Sequence, residues 1–200
     1  MDQPQKSLLI IFYRNPKMGA VKTRLAATIG KKKALSIFNK LALHTKNITE
    51  SLTMDKIVFY SDSMDLMDIW PNATYLKTLQ KGEGLGDKME HAFTSGFESG
   101  YDSICIIGTD CYELTSEIVT HAFQALQQAD VVIGPALDGG YYLLGMASPH
   151  VELFKNKRWS TQTVFQDTLR DIEALGLNHV RLQQLRDVDT EDDLPEELKT

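Results

Sequence analysis

Short apolar runs alternate along this chain with longer segments whose apolar residues recur at helical spacing. The clearest runs are SLLIIFY (7–13), KIVFYSD (56–62), DSICIIGTD (102–110), DVVIGPA (130–136) and GYYLLGM (140–146). Runs that are short and continuously apolar indicate β-strands buried on both faces. Segments such as KKALSIFNKLALHTKNITESL (32–52) and TVFQDTLRDIEALG (163–176) indicate amphipathic helices. ATYLKTLQ (73–80) and HVRLQQL (179–185) are weaker strand candidates.

This alternation predicts an α/β protein with a mostly parallel, Rossmann-like sheet and helices on both faces, a three-layer α/β/α sandwich. In such folds ligands bind at the carboxyl ends of the strands, so the loops that follow the strands are the first place to look for a site. Five of these loops contain most of the glycines and unusual charges: RNPKMGAVKTRL, QKGEGLGD, GTDCYEL, LDGG and RDVDTEDD.

Length and charge exclude several classes of protein. Two hundred residues without a linker-like stretch predict one domain over residues 1–200. The net charge of -6 argues against a general nucleic-acid binder, whose surface would be broadly basic. Two cysteines support neither a disulfide framework nor a zinc site. No apolar segment approaches the roughly 20 residues of a membrane span, and the first apolar run is too short for a secretory signal. We therefore expect a cytoplasmic protein that binds neither membrane nor nucleic acid.

The loop after the first predicted strand is basic although the chain is acidic. Arg14, Lys17, Lys22 and Arg24 lie within this loop around Gly19. Glycine lets the backbone approach a ligand closely, and four cations would offset the charge of a triphosphate. The loop does not match G-x-x-x-x-G-K-[ST], so a phosphate site and a merely solvated loop both remain open.

A carboxylate follows the strand SICII directly. Asp110 would lie at the carboxyl tip of a central strand, where a magnesium ion shared with substrate phosphates is a natural partner. A turn or helix-capping aspartate is the alternative. A second carboxylate could come from RDVDTEDD, which offers Asp187 and Asp189. Helix-start chemistry explains Thr190 and Asp193, which match a capping box, better than it explains that pair.

Two further loops have both a functional and a structural interpretation. In QKGEGLGD, Gln80 and the glycines could form a surface for a base or ribose, or simply a flexible loop before a helix. In LDGG, Asp138 and its glycines are explained by a hairpin turn, but Tyr141 would add aromatic surface at the same edge. Trp159 could form the wall of a pocket or be purely structural.

Taken together, these segments resemble one known family. FYRNPKMGAVKTRLAATIG, QKGEGLGDKMEHAF, IIGTDCYELTSEIVTHAFQAL, VVIGPALDGGYYLLGM, WSTQTVFQDTL and LRDVDTEDDL occur in the order found in DUF2064 proteins. That family is classed with the GT-A glycosyltransferases and nucleotidyltransferases, and the resemblance extends from about Leu8 to Leu194. It implies a GT-A fold that binds a nucleoside triphosphate or nucleotide-sugar with Mg²⁺ or Mn²⁺.

The resemblance also implies roles for individual residues. Asp110 and Asp189 would hold the metal, and the implied nucleotide-binding residues are Phe12, Arg14, Lys17, Gly19, Lys22, Gln80 and Gly82. If the protein is a transferase, we expect Lys22, Arg24 and Asp110 to form the catalytic set. The expected acceptor-binding residues are then Asp138, Gly139, Gly140, Tyr141 and Trp159.

The expected function is a magnesium-dependent nucleotidyl or glycosyl transfer to a small-molecule acceptor. Tyr112 stands where a glycosyltransferase D-x-D motif would have its second aspartate, which favours nucleotidyl transfer slightly. A nucleotide-binding module without catalysis is the alternative from another class. A homodimer stays open beside the monomer.

Overall fold

The computed structural model describes residues 5–199, so residues 1–4 and Thr200 of the predicted domain lie outside the described part. Seven strands and five α-helices alternate along it. The strands are β1 Ser7–Tyr13, β2 Asp55–Tyr60, β3 Leu76–Leu79, β4 Ser103–Ile107, β5 Val131–Pro135, β6 Tyr141–Met146 and β7 His179–Arg181. The helices are α1 Thr23–Ile29, α2 Lys31–Glu50, α3 Leu85–Glu98, α4 Ser116–Ala125 and α5 Val164–Ala174. Short 3₁₀ helices follow at Val151–Phe154, Glu191–Asp193 and Glu196–Leu198.

All seven strands form one sheet in the order β3-β2-β1-β4-β6-β5-β7. The pairs β1–β2, β1–β4, β2–β3 and β5–β7 are parallel. The β6 strand runs antiparallel to both β4 and β5, because it returns from β5 through the tight LDGG connection. The predicted α/β class and mostly parallel sheet are therefore confirmed, with the helices on both faces of the sheet.

Alternate side chains of the strands pack into two helical layers, as the period of two along a strand requires. Leu9 and Ile11 of β1 belong to a cluster that includes residues of α2 and α4. Leu8 and Ile10 belong to a second cluster, which includes residues of α3 and α5. Both central strands β1 and β4 are buried along nearly their whole length, which explains their unbroken apolar sequences.

The end of the chain completes a third, smaller core. Val188, Leu194 and Leu198 pack with buried residues of α1 and α2, including Leu25 and Leu41. The predicted capping box of Thr190 and Asp193 is present, but it starts a single 3₁₀ turn rather than a regular helix. Within residues 5–199, no helix has the length and apolar character needed to cross a membrane.

Candidate functional site

The crevice of this sheet lies between the carboxyl ends of β1 and β4. From β1 the chain continues outward to β2 and β3, whereas β4 begins the other half of the sheet. The loops after β1 and β4 therefore diverge to opposite sides, and a crevice between such loops is where open α/β sheets bind ligands. The basic loop and Asp110 follow these two strands, so the fold places both at this edge.

The C-terminal segment closes this crevice from a third direction. Leu185 donates its backbone N–H to the carbonyl of Pro135 at the end of β5 (3.1 Å). Three residues later, the N–H of Val188 donates to the carbonyl of Asp110 (2.9 Å). This second hydrogen bond fixes Asp187 and Asp189, the neighbours of Val188, next to Asp110.

Lys22 connects the two predicted metal ligands. Its Nζ lies 2.8 Å from Asp110 Oδ1 and 3.2 Å from Asp189 Oδ1. The side chain is only 4% exposed, and the backbone has φ 48° and ψ 48°, a left-handed conformation that non-glycine residues rarely adopt. One ammonium thus balances two carboxylates.

Counted along the chain, Asp110 follows Lys22 by 88 positions and Asp189 follows it by 167, so only the folded chain brings the three side chains together. Arg24 adds a second cation to this group, because its Nη2 donates to Asp189 Oδ2 at 2.7 Å. The guanidinium is 70% exposed and Asp110 is 46% exposed, so both can be reached by a ligand from solvent. The three predicted catalytic residues therefore lie in one cluster with Asp189.

Asp187, the other carboxylate that RDVDTEDD offers beside Asp189, belongs to the same cluster. Burial, followed by the negative charges of Asp110 and Asp138, raises the pKa of Asp187 to about 7. The Lys22 ammonium opposes this rise, but one nearby ammonium does not balance the several carboxylates. The cluster is therefore deficient in positive charge.

The donor set fits a divalent cation such as Mg²⁺. Carboxylate oxygens are the ligands that this ion prefers. The Lys22 ammonium contacts both Asp110 and Asp189, so the two carboxylates are close enough to share one positive charge. Among the described residues, no three His, Cys, Asp or Glu side chains are preassembled around a single point in metal-binding geometry. Asp110 and Asp189 would hold the ion, with Asp187 as the nearest further carboxylate.

The basic loop is anchored to the end of β2. The Asn15 amide donates to the carbonyl of Ser63 (2.7 Å), and its Oδ1 accepts the N–H of Asp62 (3.1 Å). Lys17 forms a salt bridge of 3.5 Å with Asp62. Arg14 is exposed. Sequence reasoning missed Asn15, although asparagine at a turn is a common backbone-binding residue.

Gly19 has a conformation that needs glycine. Its φ is 80°, and a Cβ there would lie 3.3 Å from the Lys31 side chain. The positive φ supports the predicted close turn of the basic loop, whose four cations are not clustered: Lys22 and Arg24 meet the carboxylates, whereas Lys17 faces Asp62.

The other predicted nucleotide residues lie along the β1–β2–β3 side of the same edge. Phe12 packs against Phe59 with ring centroids 5.8 Å apart. The Gln80 amide donates to the carbonyl of Phe59 (2.9 Å), so one of its two N–H groups is already used at the end of β2. Gly82 has φ 126°, and a Cβ there would lie 2.6 Å from Asp87 Cβ.

The predicted acceptor loop forms the turn between β5 and β6. The Gly140 N–H donates to Asp138 Oδ1 (2.9 Å), and Asp138 itself is exposed. Gly139 has φ 90°, and its carbonyl accepts the N–H of Phe165 (2.9 Å). The Tyr141 hydroxyl donates to Met89 Sδ (3.7 Å), so that hydroxyl faces the α3 core rather than the carboxylates.

Trp159 lies in a separate part of the edge, against the start of α3. It lines an open cavity of about 540 Å³, together with Gly84, Gly86, Asp87, Glu90 and residues 154–158. A Cβ at Gly86 would lie 2.3 Å from Trp159 Nε1, so the indole packs directly on the helix backbone. This placement agrees with the prediction that Trp159 forms the wall of a pocket.

Comparison with known proteins identifies the family. The profile of DUF2064, described as an uncharacterized protein conserved in bacteria, matches residues 44–161. No curated protein matches the chain. A solved structure from Desulfovibrio desulfuricans G20, a proposed nucleotide-diphospho-sugar transferase, is 31% identical with a TM-score of 0.86. The match covers 93% of this chain and 83% of that one.

More distant structures share the fold. A cytidylyltransferase from Leptospira borgpetersenii serovar Hardjo-bovis is 13% identical, with a TM-score of 0.58 over 94% of this chain and 83% of that one. The inositol-1-phosphate CTP transferase from T. maritima is 11% identical, with a TM-score of 0.55 over 99% of this chain and 95% of that one. These likenesses place the chain in the nucleotidyltransferase and GT-A type of fold. Together with the profile match and the 31% identical structure, they lead to one conclusion: this chain is a member of the DUF2064 family.

Proposed function

We propose that this protein is a magnesium-dependent nucleotidyltransferase that uses a nucleoside triphosphate and a small phosphorylated acceptor. The observation that supports this most is the contact of Lys22 with both Asp110 and Asp189 at the crevice between β1 and β4. It joins a phosphate-binding type of side chain to a pair of hard oxygen ligands at one point. Both kinds of group are needed for phosphoryl chemistry.

In the proposed reaction, an acceptor phosphate oxygen attacks the α-phosphorus of the triphosphate. The new oxygen–phosphorus bond forms as the bond from the α-phosphorus to the bridging oxygen breaks, and pyrophosphate leaves with the electron pair. Lys22, Arg24 and Arg14 offset the charge that develops on the leaving pyrophosphate. When bound at Asp110 and Asp189, Mg²⁺ would supply charge neutralisation of the phosphates.

In this scheme Lys22 has two possible sets of partners, the aspartates of the site and the phosphates of the donor. In the metal-free protein its ammonium balances Asp110 and Asp189, with only 4% of the side chain exposed. It becomes available to a donor phosphate only when another cation balances those carboxylates. Nucleotide binding by Lys22 and metal binding by the two aspartates should therefore be coupled.

Glycosyl transfer from a nucleotide-sugar is the second candidate. The 31% identical relative is a proposed nucleotide-diphospho-sugar transferase, and that observation favours this candidate specifically. In glycosyl transfer, the metal held by Asp110 and Asp189 would bind the diphosphate of the donor, and a nucleoside diphosphate would leave. Tyr112 in place of a D-x-D aspartate weighs against it.

A thermal-shift panel tests the proposal. Nucleoside triphosphates and nucleotide-sugars are added with Mg²⁺ or with EDTA, because a ligand that binds only the native state raises the melting temperature. A Mg²⁺-dependent rise with one triphosphate supports nucleotidyl transfer, and a rise only with a nucleotide-sugar supports glycosyl transfer. No rise with any of these ligands would contradict both.

Turnover then separates an enzyme from a nucleotide-binding module. Pyrophosphate release is measured with the triphosphate identified and a panel of sugar phosphates. Asp110→Asn should abolish release, whereas Asp102→Asn, at the opposite end of β4, should leave it unchanged. Nucleotide binding without release for any acceptor, in a protein whose Asp110→Asn variant binds equally well, would mean a metal-independent binding module.

A further inference from the structure

The cavity beside Trp159 has no part in the proposed chemistry at Asp110. It lies between the first turns of α3 and the loop that precedes α5, on the α3 and α5 side of the sheet. We propose that this cavity binds the hydroxylated ring of the acceptor, as in a sugar phosphate. This inference rests on the proposed function, because it assigns the part of the acceptor that lies away from the transferred group.

One wall of the cavity is a supported aromatic ring. Trp159 stacks on Phe154 at a centroid distance of 6.3 Å and an angle of 21°. Its Nε1 edge packs on Gly86, where any larger residue would push it away. A supported indole offers a flat apolar surface that loses little conformational entropy on binding, which suits the C–H face of a sugar ring.

The charged residues of the cavity are nearly balanced. Lys157 forms a salt bridge with Asp171 (Nζ to Oδ2, 2.5 Å), and its side chain is 1% exposed. Lys155 and Arg158 form no salt bridge with any residue from 5 to 199, and Asp87 and Glu90 line the same cavity. Carboxylates accept and guanidinium groups donate hydrogen bonds, so this lining suits ring hydroxyls better than a triphosphate.

The loop that carries Trp159 has an unusual backbone. Asn156 has φ 54° and Ser160 has φ 60°, and Lys22 is the other non-glycine residue with positive φ between residues 5 and 199. Such conformations persist where packing over-determines them, and they concentrate at ligand sites. Within residues 5–199, the non-glycine residues with positive φ thus lie at the carboxylate cluster and on the two sides of Trp159.

The cavity loop is also in contact with the predicted acceptor turn. A Cβ on Gly139 would lie 2.0 Å from the carbonyl oxygen of Gln162, so these two backbones are packed directly. Gln162 is three residues after Trp159. An acceptor whose reacting group lies near Asp138 could therefore extend along this loop towards the indole.

Tryptophan fluorescence tests the inference. The chain has two tryptophans, and Trp70 is only 1% exposed, so a ligand-dependent change should come from Trp159. Glucose 1-phosphate, mannose 1-phosphate, the free hexoses, cytidine and uridine are titrated separately, with and without Mg²⁺ and the triphosphate from the thermal-shift panel. We expect saturable quenching by a hexose 1-phosphate and no change with the nucleosides.

Variants assign the signal to this cavity. Trp159→Phe should abolish the quenching, and Arg158→Ala should weaken the hexose phosphate about tenfold or more, since it removes a charged hydrogen-bond donor. Arg170→Ala, another exposed arginine, is the matched control and should bind as the wild type does. Both arginine variants should retain the nucleotide-induced thermal shift, which distinguishes this inference from the proposed function.

Any one of three results would overturn the inference. Quenching by cytidine or uridine but by no hexose or hexose phosphate would make the cavity a base site. Absence of quenching by every sugar, in both the presence and the absence of Mg²⁺ and triphosphate, would mean that the cavity does not bind the acceptor ring. Equal affinities of Arg158→Ala and Arg170→Ala for a hexose phosphate would also contradict it.

Discussion

Lys22 has an unfavourable backbone conformation and a favourable position for its side chain. A non-glycine residue in the left-handed region costs roughly 1–2 kcal/mol, and Lys22 adopts φ 48° and ψ 48° directly before α1. The side chain that results reaches two carboxylates, which otherwise repel each other and Asp187. Local strain is thus offset by electrostatic balance at the same residue.

Replacing this ammonium should destabilise the metal-free protein. Lys22→Met leaves Asp110 and Asp189 without their shared cation, at an expected cost of about 1–2 kcal/mol after allowance for solvent screening at Asp110. Urea unfolding in EDTA measures the difference. Lys17→Met, which removes an exposed salt bridge, should stay within about 0.5 kcal/mol of wild type. Equal stability of the two variants would show that Lys22 does not balance the carboxylates.

The pKa of Asp187 predicts an unusual pH dependence. The pKa is about 7 in the folded protein, against about 3.9 for an unfolded aspartate. The folded state therefore holds the proton more tightly, and the stabilisation from this group is lost as pH rises from about 4 to 7. Asp187→Asn cannot lose a proton, so its stability relative to wild type should rise with pH.

Melting temperatures in EDTA at pH 5 and pH 8 test this. The advantage of Asp187→Asn over wild type should grow between the two pH values by an amount equivalent to about 1–2 kcal/mol. Because the wild type and the variant are compared at each pH, the contributions of groups that titrate equally in both proteins cancel. A constant difference would mean that Asp187 is ionised throughout this range.

At the scale of elements, the sequence predicts the strands better than the contacts between loops. Buried strands such as β1 and β4 have unbroken apolar sequences, and the glycines at 139 and 140 correctly indicate a hairpin between β5 and β6. The β7 strand is only three residues long, against a predicted seven, because its regular pairing with β5 is interrupted after Leu182 and resumes only as an isolated bridge between Leu185 and Ala136. Side-chain alternation alone does not encode where such an interruption begins.

The sequence predicts which residues belong to the candidate site, but not which cation contacts which carboxylate. Asp110 and Asp189 stand out because each follows a strand-like run, and the basic loop stands out by its charge. That Lys22, rather than Arg14 or Lys17, contacts both aspartates depends on its left-handed backbone and on the Val188–Asp110 hydrogen bond. Both are properties of the folded chain, so spacing could not distinguish the four cations.

The turn between β5 and β6 should tolerate no side chain at Gly139. Its φ is 90°, and an added Cβ would lie 2.0 Å from the Gln162 carbonyl oxygen. Gly139→Ala should therefore cost about 3 kcal/mol or more, from strain and overpacking together. Gly100→Ala is the matched control, since Gly100 has φ 85° and open space around it. It should cost only the strain, about 1–2 kcal/mol.

Chemical denaturation of both variants separates the two effects. The difference between Gly139→Ala and Gly100→Ala measures the close approach of the acceptor turn to the loop before α5. If both variants lose the same stability, the backbones at Gly139 and Gln162 can move apart freely. The turn at Asp138 and the loop that carries Trp159 would then not be held in a fixed position relative to each other.

At the scale of the whole molecule, a segment early in the sequence and a segment late in it meet at the site. The tail residues Val188, Leu194 and Leu198 form a small core with α1 and α2, apart from the two large clusters on either side of the sheet. The same tail carries Asp187 and Asp189, and α1 begins directly after Lys22. The position of the carboxylates therefore depends on packing that lies behind the site.

Loosening that packing should weaken ligand binding without touching a ligand-contacting residue. Leu194→Ala opens a cavity beneath the tail and should cost about 2–4 kcal/mol of stability. Asp189 lies five residues earlier, so the affinity for Mg²⁺ with the preferred triphosphate should fall about tenfold. Leu126→Ala, equally buried at the far end of α4, should lose similar stability with unchanged affinity.

Hydrogen exchange and calorimetry together test the link between tail and site. In Leu194→Ala the amide of Val188, which donates to the carbonyl of Asp110, should exchange faster than in Leu126→Ala. Isothermal titration of both variants with Mg²⁺ and the triphosphate gives the two affinities. Equal affinities combined with faster exchange at Val188 would show that Asp189 reaches the ligand from a loosened tail, and that the third core stabilises the fold without positioning the carboxylates.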